Sequence, residues 1–384
     1  MFYTHGTMTK YFLNAESGSP YSTEDNVIYA EGFLLNVVPT TLSDLRFVTL
    51  DHNRVPEDQS EIPDHRTMPT APRIKILRVA HVYYKHKDVT RQEQFLADFG
   101  FIETERHGGK IFYRGYGSDP FIYCLESGTE DEFGGVGLIV ASLSDLERAR
   151  AIFPTSSEVY DLVNVPGGGK CVTVQDPVDG WKLHLVYGQT EVEPLKDYRV
   201  LDFNFPKQKN RPGNSFQRFQ KEPATVHKMG HFGMCVTDFQ RVYDFYTEHF
   251  NFVPSDIQYD DSKKNIAAFM HIDLGEEFTD HHSFFIFQGP KSHVHHTSYE
   301  VHDFDTEVLG HDWLRDKGYQ NCWGIGRHIM GSQIFDYWYD PSMFILEHYV
   351  DGDQVNCHTK TNITPASPDG LYVWGPDLPA GFLD

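Results

Sequence analysis

The feature of this 384-residue chain that most constrains its fold is a diverged internal duplication. Residues 77–85 read LRVAHVYYK, an apolar alternating run that holds His81 and leads into RQEQFLADFGF. Residues 226–236 read VHKMGHFGMCV, another alternating run that holds His231 and leads into TDFQRVYDFYTEHFNF. Alternation with a period of two predicts a strand. Apolar residues at helical spacing (Phe95 and Phe99 in one copy; Val242, Phe245 and Phe250 in the other) predict a helix after it. The copies also end alike. VTVQDPVDGWKLHLVYG (172–188) matches FDYWYDPSMFILEHYVDG (335–352), each a strand, an Asp-Pro turn and a returning strand. Between these ends each copy has one more strand–helix unit, with Ser144 and Asp305 placed near the helix starts.

The duplication predicts an α+β fold of two modules, each built from paired βαβββ units. The expected division is an N-terminal extension at 1–74, a first module at 75–190, a linker at 191–224, a second module at 225–350 and an irregular tail at 351–384. The first 70 or so residues lack strong periodicity, so an extension that wraps the surface or an oligomer interface is expected there. The linker and the tail are rich in Pro and Gly.

Composition narrows the partners. A formal net charge of −22 argues against nucleic acid, whose backbone must be met by basic patches. No apolar run is long enough to span a bilayer, and the first residues, MFYTHGTMTK, do not read as a secretory signal. The five cysteines (Cys124, Cys171, Cys235, Cys322, Cys357) show no CxxC spacing, which fits buried thiols in a reducing compartment. A cytoplasmic protein without nucleic-acid or membrane partners is expected.

The second module places three candidate ligands inside predicted strands: His231 in GHFGMCV, His296 in HVHHTSYEV and Glu347 in FILEHYV. A carboxylate following the apolar run Met343–Leu346 is costly to bury without a partner. Two neutral imidazoles and a carboxylate around one divalent cation resolve that cost, in the pattern of the facial triad of non-haem iron(II) oxygenases. A lone strand histidine is ordinarily a core residue, so the argument rests on the set. His295 and His296 are adjacent and are expected to point to opposite faces, leaving one of them for the site.

At these residues the chain resembles the type I extradiol ring-cleavage dioxygenases of the vicinal oxygen chelate superfamily, over roughly residues 75–350. MGHFGMCV, VHHTSYEV and ILEHY resemble the segments that carry the family's metal ligands, implying His231, His296 and Glu347. A GRH motif and a later tyrosine fall at Gly326-Arg327-His328 and Tyr337, and HHSFFIF supplies an acid–base histidine, His282, with His281 as the alternative. The resemblance implies a mononuclear Fe(II) centre, with Mn(II) left open, that cleaves a small aromatic diol with O2. His282 would move the proton, while His328 and Tyr337 would orient the substrate oxygens. Assembly as a homo-oligomer is also implied.

In this family the first module is a copy that binds no metal. Here His81 and His184 match His231 and Glu347, but the middle ligand is replaced around Val136 in GGVGLIVAS. The chain departs from homoprotocatechuate-type members five residues before His328. Those members place an arginine there for the substrate carboxylate, and this chain has Trp323, which implies a less polar ring substituent. Two rival enzymes of the superfamily are a hydroxyphenylpyruvate-type dioxygenase and a glyoxalase-like enzyme. The first closes its site with a C-terminal helix, and the tail here does not read as one. A rival of another class is a small-molecule binding protein of the same fold without chemistry.

Overall fold

The computed structural model describes residues 72–195, 204–213 and 215–383, with the strands Phe2–Thr4, Thr7–Tyr11, Val27–Ala30, Phe33–Asn36 and Arg46–Thr49. The chain divides into two compact units, Met1–Thr67 and Met68–Asp384. In the first unit those five strands form one antiparallel sheet, in the order 7–11, 2–4, 27–30, 33–36, 46–49. Strands of three to five residues are too short to print a clear alternation, which is why this segment reads as aperiodic. The wrapping or interface role expected of it lies outside the described residues, as do residues 196–203 of the linker.

The second unit is α+β, with two mixed sheets of the same plan. In each, a long histidine-bearing strand pairs antiparallel with one neighbour and parallel with another. Ile76–His86 lies between Glu132–Val140 (antiparallel) and Tyr123–Ser127 (parallel). Val226–Val236 lies between His293–Val301 (antiparallel) and Phe284–Gln288 (parallel). The next strand outward is again parallel: Lys182–Tyr187 in the first sheet and Ile345–Val350 in the second. This arrangement is the vicinal oxygen chelate fold.

Local sequence explains the elements. The helices Val89–Phe99 and Phe239–His249 start at Asp88 and Asp238, whose carboxylates accept the N–H of Arg91 and Arg241. The other two helices, Leu143–Ile152 and Phe304–Asp316, start beside Ser144 and Asp305, as expected from sequence. Ser142 and Asp303 are their caps, accepting from Asp145 N and Thr306 N, so Ser144 and Asp305 lie within the first turns. Both Asp-Pro turns are held alike. Asp176 accepts from the N–H of Val178 and Asp179, and Asp340 from those of Ser342 and Phe344.

One apolar core runs through both modules, from Ile76, Tyr84 and Phe99 to Phe232, Phe284 and Leu346. Polar ties cross the seam: Gln92 Nε2 donates to Asp340 at 3.0 Å, and the Asn251 side chain bonds both the N–H and the C=O of Ile76. The tail departs from the irregular segment expected. Asn362–Pro365 pairs parallel with Phe252–Tyr259, and Tyr372–Trp374 pairs antiparallel with Asn321–His328. The edges of the second sheet offer free backbone partners, and these short tail segments take them. The tail's regular turns amount to one 3-10 turn, Pro368–Gly370. Among the described residues no helix is long and apolar enough to cross a membrane. Cys124, Cys171 and Cys235 are buried as expected, whereas Cys322 and Cys357 are only half-buried.

Candidate metal centre

Strand register assembles the site. His231 faces Ser298 on the neighbouring strand, Ser298 faces Glu347 on the next, and Glu347 faces Tyr337 on the fourth. These four side chains therefore form a row across one face of the sheet. His296, two residues before Ser298, shares that face. His231 Nε2 stands 3.0 Å from a Glu347 carboxylate oxygen and His296 Nε2 stands 3.8 Å from the same oxygen. Ligand atoms of all three lie within 4.8 Å of one another, and all three residues are buried. Gly233 makes the closeness feasible, because a Cβ there would come within 2.8 Å of the His296 ring.

The donor set suits a divalent cation. Burial pushes the Glu347 carboxyl up, but the His231 and His328 rings and the Ser298 hydroxyl outweigh it and hold it below the ordinary carboxylate range. Burial, helped by the His295 ring, drives His296 well below 6.5, so it is neutral. His296 Nε2 and the second Glu347 oxygen are buried without a hydrogen-bond partner. Atoms left in that state are expensive unless something else binds them. Two imidazoles and one carboxylate fit Fe(II) or Mn(II) and leave positions open.

His295 departs from the expected alternation. The register runs from Gly233–His296 to Met234–Val294, so His295 is the extra residue of a bulge. Its Nδ1 lies 2.6 Å from His296 Nδ1, and its Nε2–H donates to the carbonyl of Phe382 at 2.5 Å. His295 thus ties the His296 ring to the carbonyl of Phe382.

The other candidates surround the same point. The His282 ring sits 4.2 Å from that of His231, and His281 lies on its far side. Burial first, then the rings of His231, His281, His296 and His328, lower the pKa of His282 well below 6.5. His328 donates Nδ1–H to the carbonyl of Leu371 and its Nε2 accepts from the Tyr337 hydroxyl at 2.9 Å. Burial and the Glu347 charge raise the Tyr337 pKa well above 10, so its O–H stays a donor. Trp323 is buried, stacked parallel to Tyr337 and packed on Phe335 and Phe382, with its indole N–H bonded to the carbonyl of Pro376.

All seven residues named from sequence thus meet in one region. Ser298, Asp256 and Phe382 were missed. Ser298 could have been found as the residue one alternation beyond His296. Asp256 and Phe382 carry no local signal, since only folding brings them near.

The first module shows the same row with other residues: His81, Gly137, His184 and Thr173. Register puts Gly135, not Val136, at the place of His296; Val136 points into the core. His184 is tied to the Thr173 hydroxyl (3.0 Å) and the Gly134 carbonyl (3.1 Å).

A curled α+β fold with two imidazoles and a carboxylate on one face defines the vicinal oxygen chelate class. The profile of the Glyoxalase/Bleomycin resistance protein/Dioxygenase superfamily matches residues 228–347. Over that stretch, about a third of its length, the chain is similar to the superfamily. Metapyrocatechase 2 of Cupriavidus necator is 28% identical over 167 residues, 43% of this chain; the match spans half of that relative's length. Among solved structures, homoprotocatechuate 2,3-dioxygenase of Brevibacterium fuscum, in complex with 3,4-dihydroxyphenylacetate, superposes with a TM-score of 0.67 at 19% identity, covering 84% of this chain and 94% of its own. The Mn(II)-bound glyoxalase of Novosphingobium aromaticivorans superposes with a TM-score of 0.66 at 22% identity, covering 80% and 93%.

Proposed function

We propose that this chain is an extradiol dioxygenase, opening a catechol-type ring beside the diol with O2 at one Fe(II) held by His231, His296 and Glu347. The observation that carries the reading is the burial of two imidazoles and a carboxylate with their ligand atoms within 4.8 Å. The names of the metapyrocatechase relative and the homoprotocatechuate dioxygenase neighbours support it. A ferrous ion held by these three residues would supply the redox path between diol and O2 that their spin mismatch otherwise denies.

The remaining work falls to the protein. A single carboxylate leaves the metal site net positive, which favours an anionic diol oxygen. His282, neutral and buried, accepts a diol proton and holds it for return to the reacting oxygen. Tyr337 donates its O–H and, with His328, fixes the orientation of the ring. Trp323, Phe335 and Phe382 wall the site and exclude water. The Trp323 N–H is already engaged by Pro376, so this wall suits an apolar ring substituent better than a carboxylate. Residues 75–190 act as a metal-free scaffold for the second module, in a cytoplasmic homo-oligomer.

The Mn(II) glyoxalase neighbour favours a second reading, Mn(II) in the same triad with a glyoxalase-like reaction. Anaerobic reconstitution with Fe(II), then O2 and a panel of catechols, separates the two. Yellow ring-fission semialdehyde with iron supports the first. Turnover of a hemithioacetal with manganese, and none of catechols with either metal, supports the second. Failure to retain any metal leaves a binding protein of the same fold.

A further inference from the structure

Behind His282 stands a buried chain of groups that leads away from the metal ligands. His282 Nδ1 lies 3.2 Å from His281 Nδ1. His281 Nε2 lies 2.8 Å from a carboxylate oxygen of Asp256. The other oxygen of Asp256 accepts from Asn362 Nδ2 at 2.7 Å, and Asn362 is the register partner of Asp256 on the tail strand Asn362–Pro365. Ser255 donates its hydroxyl to the His281 carbonyl at 2.5 Å, which fixes the backbone of the pair. His282, His281 and Asp256 are all buried.

Hydrogen-bond bookkeeping sets the tautomers. A carboxylate only accepts, so His281 Nε2 carries its proton. With that proton alone, His281 has a lone pair on Nδ1. The contact between the two Nδ1 atoms holds one hydrogen, which must come from His282. His282 is left with Nδ1–H and a bare Nε2. The neighbouring pair repeats the logic. His295 donates Nε2–H to the Phe382 carbonyl and its Nδ1 faces His296 Nδ1, which leaves His296 Nε2 bare toward Glu347. Each pair thus has an outer histidine anchored by an acceptor and an inner histidine presenting Nε2. For His282 the acceptor is a charge supplied by a distant strand.

We propose that Asp256, acting through His281, is a positioning residue that fixes His282 in the tautomer with Nε2 free to accept the substrate proton. This rests on the extradiol reading for the identity of that proton. It names two residues, with Asn362 as their support, that serve the reaction without touching the substrate. In Asp256→Asn the amide can turn its NH2 toward His281 Nε2. The chain of donors then reverses and His282 carries its hydrogen on Nε2, where it blocks proton acceptance.

The test combines 15N imidazole NMR of the full metal-free chain with steady-state kinetics of the iron-loaded enzyme on catechol. The His282 signals are assigned by their loss in His282→Gln. In the natural chain His282 is expected to be protonated at Nδ1 and bare at Nε2; in Asp256→Asn the two are expected to exchange. The kinetics should show kcat reduced at least ~100-fold, with KM changed less than ~3-fold and metal content unchanged. Asp256→Glu should restore the tautomer and part of kcat. A natural chain with the His282 proton on Nε2 overturns the proposal, even if no variant folds. So does an Asp256→Asn protein with unchanged kcat. If the natural chain leaves catechols intact, the ring-cleavage reading fails while the NMR result still decides the relay.

Discussion

The two modules share strand order, register and Asp-Pro turns, yet among the described residues only the second gathers two histidines and a carboxylate at its candidate metal centre. In the first, the row across the sheet is His81, Gly137, His184 and Thr173; in the second it is His231, Ser298, Glu347 and Tyr337. The decisive difference is an anion. Two imidazoles without a carboxylate offer donors but no charge to offset a cation, and His184 spends both nitrogens on Thr173 and Gly134. The His81 ring also fills the space a side chain at Gly137 would need, since a Cβ there would lie 2.2 Å from His81 Nε2. One module uses its histidines for packing and the other spends burial energy to hold open ligands.

The comparison can be broken most severely at Glu347. In Glu347→Ala the chain should resemble the first module electrostatically, with iron retention falling by about 100-fold or more and ring cleavage lost; equilibrium dialysis with metal analysis checks this. His282→Phe should keep the metal and catechol binding but lower kcat by about 100- to 10,000-fold in stopped-flow assays. Retained turnover in that variant would remove His282 from the proposed reaction.

The reverse experiment puts the missing ligand into the first module. Gly135 has φ +116° and a Cβ there would come within 2.4 Å of the Lys182 carbonyl. Gly135→His should therefore cost about 2–4 kcal/mol by urea unfolding and add no second metal equivalent. The smallest effect concerns a histidine with a purely structural use. His86 is buried between Tyr123 and Ser342, and burial lowers its pKa to about 4, against a small opposing pull from Asp131. The unfolded chain binds the His86 proton below about pH 6.5 and the folded chain does not, so stability falls as pH drops from about 6.5 towards 4. His86→Gln should flatten that slope, by up to about 3 kcal/mol at pH 4, measured by denaturant melts at several pH values.

Much of this was legible in the chain itself. Alternating strands with a histidine or glutamate among apolar residues announced His231, His296 and Glu347, because a buried polar group in a period-two run has to be explained. The GRH step and the later tyrosine fell nine residues apart and folded into contact. Register was harder. Val136 and Gly135 differ by one position, and one position exchanges the two faces of a strand. The bulge at His295 likewise broke an alternation that sequence alone would continue.

What the sequence determined was the repeat, the strand-borne candidate ligands and the asymmetry between the copies, since these depend on local periodicity and residue chemistry. Tertiary structure alone decided which distant groups complete the site. Asp256 reaches the His281–His282 pair from another strand, while the tail delivers Asn362 to Asp256 and Phe382 to His295 and Trp323. Those encounters join residues as far apart in the chain as Asp256 and Asn362, and no short-range pattern encodes them.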